Sequence, residues 1–442
     1  KPVPKAGRLR AGHGWGKIPA ELPRVDVIVP LTDEQQELLK MGVLIKIRDE
    51  ITERIAVHPK TLYVKRFFRP LFARLDADGS RIVLPLAPID SPIEKGRADL
   101  SILAFLIVSK FLDHLPLDRI RKIFLRQGHH LATSTMVNWL SDLNELLLPI
   151  YLAMVAELKA GNLIHADETI CRVMINEKGI EEDKKKHKTH PGYLWVYIGS
   201  GHILYEYTHS RGSEHPLRFL TGSTPEQEFH GTLQGDGYAG YNALCKKNKL
   251  VRAGCPAHAR RYFVEALPKY PFVKEFLDMY KDLFNIEAEC TEQKKSAEER
   301  LKIRELRSQP LLDLMRTWVE NAAQMALPQD ALGEAVTYFL GQWIELKVFL
   351  KDGHIPLDNN ISERALRPVV LGRNNFLYFG SEHGAVRGAT FYSLVQSCAA
   401  LGINPLEYLE DVLGRIDSHP NRRITELTPA GWKAVRNKAL IQ

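Results

Sequence analysis

At 442 residues the chain is too long for one ordinary domain, and about two to four are expected. A hydrophobic share of 45% and a charged share of 26% belong to a folded globular protein and exclude a disordered chain. The net charge of +7 and pI near 9.0 favour an acidic partner such as nucleic acid, and the longest apolar run, Ile102–Val108, is far too short to span a bilayer.

No signal peptide leads the sequence, and a chain opening on Lys1 is expected to lack its natural first residues. Five scattered cysteines (Cys171, Cys245, Cys255, Cys290 and Cys398) form no CxxC, which points to a reduced, cytosolic chain without disulfides. Residues 1–30 are rich in Pro, Gly, Lys and Arg and read as a basic extended arm. Its Lys1, Lys5, Arg8, Arg10 and Lys17 suit DNA phosphates, and suit a solvated tail equally well. Residues 31–92 alternate apolar and polar around Val43–Arg48, Ile55–Val57, Leu62–Phe68 and Ile82–Leu84, which predicts a small β-rich module.

Residues 93–160 read as helical. Leu100, Leu103, Ala104, Ile107, Val108, Phe111 and Leu112 keep helical spacing over 97–114. Helices over Asp118–Gln127 and Ser134–Leu143, joined through Gly128, have the outline of a helix-turn-helix. The first carries Arg119, Arg121, Lys122 and Arg126 for phosphates, and the second Ser134, Thr135, Asn138 and Ser141 for DNA. The same outline fits any small helical packing unit. Helix is expected to continue over Glu145–Leu158, kinked or restarted at Pro149.

From residue 161 the pattern becomes α/β. Asn162–Ile175 reads as a strand containing Asp167. Gly192–Gly201 and His202–His209 read as a hairpin turning at Ser200-Gly201. Glu181–Lys188 reads as a solvated loop and Glu214–Leu220 as a short helix. Gly231–Tyr241 brings a strand to Asp236, Leu250–Cys255 is a further strand, and Ala257–Leu267 is a helix. Residues 269–353 are helical with charged faces such as Glu292–Arg307, either an insertion or a separate domain. Ala385–Leu401 and Pro405–Leu413 are two later helices, with Gly402 as C-cap and Asn404-Pro405 opening the second.

The stretch Leu357–Gly380, LDNNISERALRPVVLGRNNFLYFG, holds the densest chemistry. A helix starts near Asn360, with Asn359, Glu363 and Arg367 on one face and Ile361, Leu366, Val369, Val370 and Leu371 for burial. Pro368 is expected to stop or kink it. Asn360-x-x-Glu363 is also a capping box, and Glu363–Arg367 an ordinary helix ion pair.

The string DNN-x-x-ER-x-LRP, then GRNN-x-LYFGS and GA-x-RGA-x-x-YSL, resembles the third signature block of the insertion-sequence-66 family of DDE transposases. His165-Ala-Asp-Glu-Thr and Gly235-Asp-Gly-Tyr-Ala-Gly-Tyr match the first two blocks, and GCPAHARRYF continues the second; the resemblance covers roughly residues 95–415. It implies an RNase H-like α/β core in two parts, 161–268 and 354–402, interrupted by the helical insertion 269–353 and followed by a C-terminal helix and tail, 403–442. It implies Asp167, Asp236 and Glu363 as catalytic carboxylates holding two Mg²⁺ ions, with Mn²⁺ as substitute. Two such ions suit an in-line phosphodiester transfer, because they stabilise both the attacking and the leaving oxygen. Glu168 makes a poor further ligand, since adjacent strand residues point to opposite faces.

The implied activity is cleavage at insertion-sequence ends and joining of the 3′-hydroxyl to target DNA. Its rivals are a DNA-binding protein that has lost catalysis and a metal-dependent nuclease without strand transfer. The implied partners are terminal inverted repeats, target DNA, further copies of the chain as a homodimer or larger, and small accessory proteins. The implied location is the bacterial cytoplasm at the nucleoid, with no membrane. His258, Arg260, Arg261, Asn359, Asn360, Arg364, Arg367, Arg373, Asn374 and Asn375 are expected at the DNA, where guanidinium forks suit phosphate. Members of the family carry two cysteine pairs in the region of 31–92. This chain has no cysteine before Cys171, so no thiolate zinc site is expected there. Cys255-x-x-His258 has zinc-ligand spacing but lacks a second pair.

Overall fold

The computed structural model describes residues 18, 20, 22–58, 61–75, 81–83, 92–93, 98–175, 189–222, 228–248 and 250–441. Most of the arm and the run Glu181–Lys188 lie outside them. The structure is mixed α/β, with two sheets and many helices. The chain divides into two compact units, residues 1–106 with 117–139, and residues 107–116 with 140–442.

The first unit holds a sheet in the order β1-β3-β2 with β4 beside β3. Its strands are β1 (Arg24–Ile28), β2 (Leu44–His58), β3 (Thr61–Leu75) and β4 (Arg81–Val83), with helix α1 (Asp33–Lys40) between the first two. The alternations read as separate short strands are two strands of fifteen residues, paired antiparallel from Leu44–Arg74 to His58–Thr61. Pro70 is tolerated because it falls between β1, whose pairing ends at Phe68, and β4, whose pairing starts at Ala73. The stretch expected as an extended arm ends in β1. Helix α3 (Leu117–Arg126) buries Ile120 and Phe124, and Gly128 takes a φ of +83° in the turn that follows. The backbone N–H of Leu62 donates to Gln127 Oε1 at 3.1 Å, and Lys65 pairs with Asp99 at 2.8 Å. Both bonds fasten the sheet to its helical neighbours.

Helices α2 (Leu100–Phe111) and α4 (Thr133–Lys159) follow the expected periodicity, but α4 runs unbroken through Pro149. The carbonyl that proline deprives of a donor belongs to Glu145, four residues back, which is exposed. By length and composition α4 is apolar enough to cross a membrane. Leu143, Leu147, Ile150, Met154 and Leu158 are nevertheless fully buried inside the protein.

The second unit is built on a sheet in the order β7-β6-β5-β8-β9, formed by β5 (Leu163–Met174), β6 (Thr189–Gly199), β7 (His202–Thr208), β8 (Thr232–Gln234) and β9 (Val251–Ala253). β5, β6 and β7 are antiparallel; β5, β8 and β9 are parallel. The expected turn is present: Ser200 and Gly201 both have positive φ, 49° and 80°, as a two-residue hairpin requires. Helices α5 (Glu214–Thr221) and α6 (Ala239–Asn248) connect β7 to β8 and β8 to β9, and α7 (Pro256–Ala266) follows β9. The sequence had not signalled α6.

Residues 273–351 are helical, as expected: α8 (Val273–Glu292), α9 (Ala297–Ile303), a π-turn over Arg304–Ser308, α10 (Gln309–Ala323), α11 (Ala331–Gly341), α12 (Trp343–Leu346) and a 3₁₀ turn over Val348–Lys351. They share with α7 a core that includes Phe263, Phe276, Met315, Val319 and Phe339. Then come α13 (Asn360–Phe376), α14 (Glu382–Ala400), α15 (Pro405–Arg415) and α16 (Pro429–Ile441). α14 covers the edge of β7: Ile203 N donates to Ser397 Oγ at 2.9 Å and Tyr205 N to Ser393 Oγ at 2.8 Å. Two serines one helical turn apart thus satisfy strand N–H groups that would otherwise be orphaned.

Candidate functional site

β5 and β8 run parallel, with His165 opposite Gln234 as their last pair. Asp167 and Asp236 each lie two residues beyond that pair, so neighbouring strands deliver two carboxylates at the same level. Gly235 permits the close approach. A Cβ there would stand 2.9 Å from the Tyr241 ring and 3.4 Å from Ala166 O. Asp167 Oδ1 accepts from Glu168 N at 2.8 Å, and Asp236 Oδ1 accepts from Tyr238 N at 2.9 Å in a tight turn. Arg252 donates to Asp236 O at 2.8 Å and fixes that turn to β9.

Glu363 comes from α13, which the chain places against β5 and β6. The helix runs through Pro368 to Phe376, correcting the expected stop. The freed carbonyl belongs to the exposed Arg364, and buried Leu366, Val369 and Gly372 hold the following turns in place. Ile361 and Leu371, expected in the core, are exposed.

The capping box does not form. The N-cap is Asn359, Asn360 is the first helical residue, and Glu363 lies beyond reach of the cap role. Its Oε1 instead stands 3.5 Å from His258 Nε2 and 3.5 Å from Arg261 Nη2, both on α7. Burial pushes the Asp167 carboxyl up to about 7, and the charges of Glu168, Asp236 and Glu363 push the same way. Burial lowers the His258 imidazole, reinforced by Arg261 and opposed by Asp236 and Glu363. The three carboxylates and His258 therefore share one electrostatic neighbourhood, although 196 residues of chain separate the first from the last.

These donors are the hard oxygens that Mg²⁺ prefers, and a cation among them would offset the neighbouring carboxylate charges that add to burial in raising Asp167. By donor chemistry the set fits such an ion. Among the described residues, however, no three His, Cys, Asp or Glu side chains already form a metal-binding group. Glu363 is turned to His258 and Arg261. Glu168 is buried and ion-paired with Arg211, whose guanidinium also lies 4.6 Å from the Tyr238 ring centre. Nothing in the sequence singled out Arg211, a lone arginine in a loop.

The remaining expected site residues separate into distinct places. Asn359 is 0% exposed, which corrects its assignment to the DNA surface. Its Nδ2 donates to Ala166 O at 3.0 Å, its Oδ1 accepts from Ser362 Oγ at 3.0 Å, and its N–H donates to Cys255 Sγ at 3.3 Å. His165 Nδ1 lies 3.3 Å from the same Oδ1. Asn359 thus ties α13 to the residue before Asp167. Cys255 is engaged in that tie, and burial pushes its thiol up to about 11, while His258 faces Glu363.

Asn360 donates its amide to Asp358 at 2.7 Å. Arg364, Arg367 and Asn374 are exposed on α13. Arg373 is held by Ile170 O, and Asn375 donates to Leu371 O at 3.0 Å. Arg260 lines a groove against α8. In the first unit, Arg121 and Lys122 both pair with Asp118 at 2.7 Å, exposed contacts of small energetic weight. Arg126, Ser134 and Asn138 are exposed and Thr135 is half-buried.

A sheet that sets two carboxylates level, a late helix that adds a third, and a fringe of arginines can hold hard cations and polyanionic substrates. Comparison with known proteins gives this class a family. Residues 95–387 match the transposase IS66 family and residues 393–430 match the IS66 C-terminal element. The chain belongs to the IS66 family of transposases. It is 31% identical over 417 residues to the uncharacterized protein y4hP of Sinorhizobium fredii, covering 88% of this chain and 72% of that protein. It is likewise 31% identical over 439 residues to the uncharacterized protein y4jD of the same organism, covering 97% and 84%.

Proposed function

We propose that the chain cuts DNA at the ends of an insertion sequence and joins the freed 3′-hydroxyl to target DNA, with Asp167, Asp236 and Glu363 as the reacting site. The observation that carries this is the level placement of Asp167 and Asp236, each two residues past the His165–Gln234 pair, with the charge of Glu363 felt at Asp167. Counted along the chain, the sheet order is 3-2-1-4-5 with the first three strands antiparallel. That order supports an RNase H-like core, with residues 273–351 inserted between the second and third carboxylates.

Two Mg²⁺ ions, or Mn²⁺ in their place, would stabilise charge on the attacking and leaving oxygens. Asp167, Asp236 and Glu363 are the residues to hold them. Before loading, His258 and Arg261 on α7 hold the Glu363 carboxylate, and a cation would draw it from them. On α13 the exposed Arg364 and Arg367 face phosphates of bound duplex, with the helices around Gly128 as a second DNA surface. Two element ends call for a homodimer or larger assembly.

The test supplies the purified chain with uncut and pre-cleaved element ends, a target plasmid and Mg²⁺. Joined products support the reading. Cleavage of uncut ends without joining would make the protein a nuclease, and DNA binding with neither reaction would make it a lapsed relative.

A further inference from the structure

An open groove of about 460 Å³ lies between α7 and α8 and reaches the start of α13. α7 contributes Arg260; α8 contributes Lys281, Phe284 and Asn285; α13 contributes Asn360. On α8 the three residues recur at helical spacing and so line one face. Asp278 also lines the groove, but Lys274 neutralises it at 2.7 Å. Among the described residues neither Arg260 nor Lys281 has an acidic partner, whereas the neighbouring Arg261 is engaged by Glu363. Arg364 stands one turn beyond Asn360 on the same side of α13, also without an acidic partner among the described residues. Unneutralised cations, the Asn285 amide and an aromatic wall therefore run from the groove to within one turn of Glu363, beside the Asn360 amide, which donates to Asp358 at 2.7 Å.

We infer that this groove binds the sugar-phosphate backbone of DNA leading to or from Glu363, and that α8 of the helical segment is part of the DNA-binding surface. This rests on the proposed function. Guanidinium, ammonium and amide groups hold phosphates without reading bases, while Phe284 and Leu277 offer apolar surface to the sugars. The backbone could be that of an open strand end or of continuous duplex. The chemistry is the same in both.

The experiment measures binding of the full chain to two short fluorescent duplexes of mixed sequence, one with open ends and one closed by hairpins, across a salt series. Lys281→Glu and Arg260→Glu are each expected to weaken binding about tenfold and to lower the salt slope by ~1 for each phosphate no longer neutralised. Lys302→Glu, an exposed charge reversal on α9 outside the groove, should leave both unchanged. Weakening confined to the open duplex assigns the groove to a strand end, and weakening on both assigns it to continuous backbone. Unchanged affinity and slope in both groove variants, with wild-type melting behaviour, overturn the inference while leaving the catalytic reading intact. Asp167→Asn separates the two claims, since it should bind like wild type and fail to cut. A wild-type chain that binds neither duplex overturns both.

Discussion

Arg304 provides the sharpest test of how the third carboxylate is held. It is 0% exposed, yet every guanidinium nitrogen is used. Nε and Nη2 donate to Glu287 at 2.7 and 2.8 Å, and the remaining bonds reach Phe349 O at 2.5 Å, Asp352 O at 2.9 Å and Ile355 O at 3.0 Å. Just downstream, Gln234 donates to Pro356 O at 2.8 Å, and Asn359 is tied to Ala166 and Cys255. The strap 349–359 that delivers Glu363 is thus pinned from the helical segment at one end and from the sheet at the other.

Arg304→Met keeps most of the volume and removes every one of these donors. Removing one partner of a buried ion pair costs about 3–5 kcal/mol. Arg300 still reaches Glu287 at 2.7 Å, which places the cost of breaking the pair near the lower end. The three abandoned carbonyls add about 1 kcal/mol each where water cannot replace the donor, and Asp352 O is only partly buried. The expected total is ~4–5 kcal/mol by this reasoning. Urea unfolding reads the loss, and hydrogen exchange should rise first in residues 349–359. A loss under about 1 kcal/mol, with exchange in the strap unchanged, would refute the reasoning, because it falls below the cost of even one abandoned buried group.

The same network predicts a pH dependence. Burial raises the Glu287 carboxyl, but the hydrogen bonds and charges of Arg304 and Arg300 outweigh it and hold it below the ordinary 4.5. Its contribution is therefore complete above pH 4.5 and is lost as pH falls from there through the folded value, so Glu287→Gln should flatten the acid limb of a stability-versus-pH curve. Asn359→Ala leaves Ala166 O, Ser362 Oγ and His165 Nδ1 without their tie, while the backbone N–H bond to Cys255 stays; an expected loss of about 2–3 kcal/mol in thermal or urea melts would come with slower cleavage at unchanged DNA affinity.

Much of the second unit was legible. The aromatic and β-branched residues of β6 and β7, with Ser200-Gly201 between them, specified a hairpin, because residues tolerant of positive φ fit that turn. The glycines around Asp236 marked a sharp chain path, and Gly235 is where β8 passes closely by Ala166. Other features were hidden for physical reasons. Proline reads locally as a helix breaker, yet at 149 and 368 the freed carbonyls belong to exposed residues and the helices continue. Arg304 sits in a charged run that looks solvated. Only the packing of Phe349 to Ile355 around it reveals a buried fastener. Asn359 stands in a polar string that resembles a DNA-binding surface, and its burial follows from strands some 190 residues away.

The central claim is that Glu363 completes a reacting site rather than capping its own helix. Glu363→Gln tests it most directly, measured as cleavage and strand transfer beside DNA binding on the same preparation. The amide keeps the shape and removes the charge a cation needs. The account predicts that cutting and joining disappear while binding and its salt dependence stay at wild-type levels. A Gln variant that joins DNA ends at a near wild-type rate would contradict it and remove Glu363 from the site.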